Sequence, residues 1–164
     1  MSRKRVAWRL AASLACGAVI VALGAPANAA PKGPRYCGYS TAVVVNDVAP
    51  VGESLGDERV NTYILVNKKG EKIGSAEVLA TLVELGLVKR AAGRLTLNIG
   101  AKDKIFGVGE SLFDKNFLDP AVRPIPVEYT TAIIGGTGAY AGASGTMTRT
   151  QPQPNVRCWE VNFS

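Results

Sequence analysis

The chain has 164 residues, no histidine, three cysteines and a formal net charge of +6. Four of its 19 basic residues (Arg3, Lys4, Arg5 and Arg9) and none of its 13 acidic ones precede residue 30, so 15 basic residues face 13 acidic ones beyond it. That balance, with no basic helix or aromatic-rich RNA motif, argues against nucleic-acid binding, and the lack of histidine excludes a Ser-His-Asp triad, a histidine base and histidine-ligated metals.

The basic start leads into an apolar, alanine-rich run over residues 10–24 and then Ala25-Pro26-Ala27-Asn28-Ala29-Ala30. This is the pattern of a secretory signal peptide spanning 1–29, cleaved after Ala29. Cleavage after Ala30 would place Pro31 first. The apolar run is too short for a typical membrane span, and Cys16 lacks the context of a lipoprotein cysteine. The reading is one secreted domain, 30–164, with no membrane span left after cleavage and enough residues to bury a core.

Cys37 and Cys158 survive cleavage. Two cysteines in a secreted domain pair more often than they act. A disulfide is expected, and two free thiols, one of them a nucleophile, is the alternative. The bridge would close a loop of over a hundred residues, a constraint worth up to about 4–5 kcal/mol in the chain-entropy model.

The rest reads as strand after strand with glycine punctuation. Residues 39–46 ("YSTAVVVN") are short and β-branched. Residues 60–66 ("VNTYILV") follow a turn at Gly56-Asp57, and "NKKG" then marks a hairpin turn. Residues 72–84 are ambiguous: Val78, Leu82 and Leu85 lie at i, i+4 and i+7, which by periodicity alone slightly favours a helix. Residues 94–99 ("RLTLNI") alternate cleanly, as a strand does. Residues 104–110 carry Gly107 and Gly109, the mark of a bent or closely packed strand. Residues 112–126 hold three prolines and read as a long loop. Strands at 127–134, 144–150 and 157–163 complete about eight, the pattern of a sandwich or barrel.

The stretch "AIIGGTGAYAGASGTMTRT" (132–150) contains G-x-G-x-x-A at Gly136, Gly138 and Ala141. A dinucleotide loop needs a helix next. Here Gly142 and Gly145 interrupt the following turns, and "GTMTRT" prefers a strand. The better reading is a tight strand connection whose glycines adopt positive φ. No cofactor is expected.

The same stretch closely resembles the late signature of the allene oxide cyclase and dirigent superfamily, with Tyr140 at its aromatic position and Gly145 at its final glycine. "VVVNDVAPVGESLGDERVNTYILVNKKGEKIG" is similar to the family's opening, and "GRLTLNIG" to its middle strand. The resemblance covers roughly 41–150 and tips residues 72–84 to strand. It implies an all-β fold, an eight-stranded antiparallel β-barrel with a central apolar cavity. Such a barrel places Cys37, before the first strand, near Cys158, at the start of the last, so a bridge would fasten the seam. Ala139 and Ser144 replace an Asp and an Arg common in dirigents, which weakens a dirigent-type mechanism specifically.

The resemblance implies confinement chemistry: cyclisation of unstable epoxides or polyketide chains, or guidance of radical coupling. The catalytic candidates are Asp47, matching an acidic residue at the pocket mouth, together with Glu77 and Tyr63. Ligand contacts are expected from Phe106, Tyr129, Trp159 and Asp57. Each has a plainer reading: Asp47 and Asp57 as turn residues, Glu77 (like Glu110) as part of a solvated face, and the aromatics as core packing. The long loop over 112–126, with Phe113 and Phe117, would either cap the cavity as a lid or lie as a rigid surface loop. The expectation is a secreted barrel cyclase or isomerase acting on an apolar unsaturated metabolite, possible substrates including a polyketide closed by intramolecular cycloaddition. The alternatives are a non-catalytic binder of a hydrophobic small molecule, a dirigent-like guide of radical coupling, and a structural protein with a filled core. The partner is a hydrophobic small molecule, and a homo-oligomer is compatible with the sequence.

Overall fold

The computed structural model describes residues 33–164; the expected signal peptide lies outside the described residues. Eight strands follow in order: β1 Arg35–Asn46, β2 Glu58–Val66, β3 Lys72–Glu84, β4 Lys89–Ile99, β5 Asp103–Phe113, β6 Tyr129–Thr137, β7 Gly145–Gln153 and β8 Val156–Phe163. Each is antiparallel to its neighbours, and β1 returns to β8, closing an all-β barrel.

The ambiguous third segment is a strand. Ala76, Val78, Ala80 and Leu82 point inward in alternation, while β2 and β4 pair along its two edges. Several strands run longer than the sequence suggested: β1 starts at Arg35, β4 at Lys89, and β5 continues to Phe113. In each case the pairing of adjacent strands carries the ladder past the residues of highest strand preference.

The barrel has two different ends. Hairpins β2–β3, β4–β5 and β6–β7 form the first, which is filled by Tyr36, Leu65, Leu97, Ile105, Met147 and Val161. The glycine motif is the β6–β7 connection there, with a 3-10 turn over Gly138–Tyr140. Gly138 has φ +60°, and a Cβ there would meet Asp103 Oδ1 at 2.0 Å. Asp103 instead accepts a hydrogen bond from the Ala139 N–H at 3.0 Å. Tyr140 stacks on Phe163, and its hydroxyl lies 2.6 Å from that of Tyr36. The glycines therefore serve a turn, as the missing helix implied.

Closure is narrow. β1 and β8 pair only from Arg35↔Glu160 to Tyr39↔Val156, with Cys37 opposite Cys158. The two cysteines form a disulfide across this seam, their Cα atoms 4.0 Å apart. Beyond Tyr39, β1 pairs with β2 alone.

At the second end, the β1–β2 connection is organised by Asp57, which is fully buried. Its carboxylate accepts from the Val48 N–H at 2.9 Å, the Ser54 N–H at 2.6 Å and the Ser54 hydroxyl at 3.0 Å. Burial pushes this carboxyl upward, but the hydrogen bonds outweigh it and hold the group below the usual carboxylate range.

Two outcomes follow from these restraints. Replacing both cysteines by serine should lower the free energy of unfolding by about 2–5 kcal/mol in urea titrations; unchanged stability would contradict the seam's role. Because the folded Asp57 carboxyl is depressed, its contribution is present above about pH 4 and is lost as the pH falls toward its folded value. Asp57→Asn should cost about 1–3 kcal/mol at pH 7, and the gap to the parent protein should narrow below about pH 4. A gap independent of pH would show that the charge is immaterial.

Candidate functional site

Alternation along β2, β7 and β8, with β1 lying between β8 and β2, builds the interior layer between the two ends. In β2, Arg59, Asn61, Tyr63 and Leu65 share a face. In β7, Met147 and Arg149 do, and in β8 Arg157, Trp159 and Val161. Leu65, Met147 and Val161 are fully buried, so the same parity carries three arginines inward.

Tyr63 and Trp159 meet edge to face, with ring centroids 5.2 Å apart. The Arg149 guanidinium lies 4.2 Å over the Tyr129 ring, a cation–π contact. Among Val78, Leu95, Ser111, Tyr129, Arg149 and Trp159 is a cavity of about 10 Å³, roughly the space in which one water can be centred. The expected central cavity is therefore present and largely apolar, but nearly filled.

The second end is plugged by residues 114–128. Phe117 is fully buried and packs edge to face on Phe113 at 5.1 Å. Arg59 donates to the carbonyls of Phe117, Asp119 and Pro120 at 3.4, 3.0 and 2.7 Å. The Glu53 carboxylate accepts from the Phe117 N–H and pairs with Lys89 at 3.4 Å. The two phenylalanines thus cap the interior, Phe113 from the end of β5 and Phe117 from the loop that follows.

The electrostatics of the layer are one-sided. Arg149 and Arg157 are 5% and 4% exposed. Arg149 donates to the Val127 carbonyl at 2.9 Å, and Arg157 to those of Pro154 and Val156, both at 3.2 Å. Each Nε is buried without a partner, as is Gln151 Oε1. Ion pairs among the described residues lie elsewhere, between Lys89 and Glu53 and from Arg90 to Glu84 and Glu110.

Burial pushes the Arg157 guanidinium down to about 10; Tyr63 opposes this, while Arg149 and Arg123 add to it. It remains a cation at neutral pH. Burial raises the Tyr63 phenol, with Arg157 and Arg149 pulling against it. Tyr63 is therefore a protonated hydrogen-bond donor at neutral pH.

Of the residues singled out from sequence, Tyr63, Trp159 and Tyr129 come together in this layer. The others do not. Glu77 is exposed on the outer face, because the inward parity of β3 belongs to Ala76 and Val78. Phe106 is half-buried on that same outer side, since Ile105 and Gly107 take the inward positions, and both border a shallow outer groove with Leu79 and Ile134. Asp47 is exposed in the β1–β2 connection and accepts from the Gly52 N–H at 3.1 Å. Asp57 is a buried loop anchor rather than a ligand contact, its oxygens already engaged. Glu110 is exposed, 3.7 Å from Arg90. The residues missed were Arg59, Arg149 and Arg157. A signal existed: each is an even number of residues from an inward aromatic or aliphatic side chain of its own strand.

No family model and no curated protein sequence matches this chain. Solved structures do share its fold. A pyocyanin demethylase superposes with a TM-score of 0.62 at 21% identity, covering 80% of this chain and 98% of the other. A nonspecific heme-binding cyclase that catalyses (4 + 2) cycloaddition during neoabyssomicin biosynthesis gives 0.55 at 15% identity over 79% of this chain. The Diels–Alderase AbmU from Streptomyces koyangensis gives 0.53 at 14% identity over 77% of this chain. This chain spans 61% of each of the latter two. Its structural neighbours thus include barrel cyclases and a demethylase, so the barrel alone is not tied to one reaction.

Proposed function

We propose that this protein is a barrel cyclase or isomerase that confines an apolar, unsaturated metabolite of polyketide type and closes it by intramolecular cycloaddition. The observation carrying this reading is the inward layer of Tyr63, Trp159 and Tyr129 inside a closed barrel. Membership of the allene oxide cyclase and dirigent superfamily, and an extracytoplasmic location, belong to the same reading. The disulfide fits an oxidising compartment.

The chemistry suits these residues. In a cycloaddition of a diene to an alkene, two π bonds become two σ bonds and one π bond shifts; no proton or electron enters or leaves. An acid–base pair is unnecessary, and the protein's contribution is to hold the two reacting ends in contact. The apolar wall presses the chain into a folded shape, and Trp159 offers a ring face or edge to the diene. The Tyr63 hydroxyl, held protonated, donates to a carbonyl conjugated with the alkene and draws electron density from it. Asp47 and Glu77, lying outside the barrel, take no part. Because the cavity is small, the substrate enters by displacing the plug of residues 114–128.

The test is incubation with a linear precursor carrying a conjugated diene and an activated alkene, with products resolved by chiral chromatography. Faster closure to one stereoisomer is expected. Tyr63→Phe should slow it about tenfold, the worth of one hydrogen bond, whereas Glu77→Gln should match the parent. A precursor retained unaltered, with no acceleration, would identify a binder and overturn the enzyme reading.

A further inference from the structure

We infer that the confined metabolite carries a singly charged planar oxyanion, a carboxylate or an enolate, and that Arg149 and Arg157 bind it. The inference rests on the confinement reading and names the substrate class of that same interior.

Both guanidiniums are more than nine-tenths buried, and neither has a carboxylate partner among the described residues. Moving a cation out of water is costly, and a pairing anion is the usual compensation. The backbone carbonyls that receive these arginines satisfy individual N–H groups and leave the net charge. Each arginine also keeps a buried Nε without a partner. Arg157 donates to the protein only from Nη1, so its Nε–Nη2 edge is unspent among the described residues. That edge is the fork that grips a carboxylate through two parallel bonds.

The position suits a ligand rather than a structural ion pair. Arg149 lines the cavity beside Trp159 and Tyr129, and Arg157 shares the inward parity of Trp159. Arg149, Arg123, Tyr63 and Tyr129 are the charged and phenolic neighbours of Arg157. An oxyanion placed here would offset the repulsion among the arginines and accept from both orphan donors. Its unsaturated body would lie against the aromatic layer. The surrounding wall is largely apolar, with the neutral hydroxyls of Ser111, Thr131 and Tyr129 added, which favours one delocalised charge over a phosphate dianion.

The experiment is calorimetric titration of the purified protein with cinnamate, methyl cinnamate and acetate. Cinnamate should bind at least about tenfold more tightly than its methyl ester, the scale of one charge-assisted hydrogen bond. Arg149→Gln and Arg157→Gln should each reduce that preference, Arg149→Lys should keep part of it, and Lys69→Gln on the β2–β3 hairpin should leave it intact. The acid–ester comparison on the parent protein stands even if a variant fails to fold. Equal affinity for acid and ester, no binding of cinnamate, or a preference unchanged in both glutamine variants would overturn the inference. Ester binding as tight as acid binding would sink the oxyanion site and leave confinement standing. Acetate binding as tight as cinnamate would do the reverse.

Discussion

Closure of the sheet is the constraint on which the rest of the molecule depends. β1 meets β8 over a short ladder, and the Cys37–Cys158 disulfide ties the two strands where they lie opposite. Closure covers the sheet edge along the seam, leaving β1 beyond Tyr39 paired on one side only, and turns alternate residues of the strands toward one interior. That interior is narrow, as expected for eight strands, so the inward side chains determine whether it is a packed core, a vessel or both.

Here it is packed in layers, with a small cavity in the middle. The first end is filled with aliphatic and aromatic side chains and sealed by the Tyr36–Tyr140 contact. The second is plugged by Phe117, held through its backbone by Arg59 and Glu53. Between them sits the layer of Tyr63, Trp159, Tyr129, Arg149 and Arg157, where two buried Nε donors and their positive charge lack a partner among the described residues. The two ends are complete in themselves, and the middle is not. On the proposed reading, this asymmetry puts the chemistry there and gives the ligand the missing charge.

The architecture was legible because its signals are local. Alternation, the "NKKG" hairpin and the glycine turn at 135–138 each specify their own geometry, and two cysteines near the ends of a barrel sequence can meet at its seam. β3 misled by arithmetic. A spacing of four is even, so Val78 and Leu82 share a face in a strand as well as in a helix, and Leu85, the residue that broke the alternation, lies beyond the strand's end. The site was only partly legible. Tyr63, Tyr129 and Trp159 were picked out as strand aromatics, and the parity of their strands turns them inward. Glu77 and Phe106 were misplaced because a residue type says nothing about which way a strand faces, and Asp47 because it falls in the exposed β1–β2 connection. Arg59, Arg149 and Arg157 were missed because a lone arginine ordinarily belongs to solvent, although "ERVNTYILV", "GTMTRT" and "VRCWEV" set each in phase with the core.

The central claim is that the barrel's unpaired cationic layer is its ligand site. A crystal structure of the protein with cinnamate bound tests it most directly. The account predicts the carboxylate within hydrogen-bonding distance of Arg149 and Arg157, the ring against Trp159 or Tyr63, and residues 114–128 displaced from their present seat. Cinnamate seated only in the outer groove beside Phe106 and Ile134, with the interior unchanged, would contradict it.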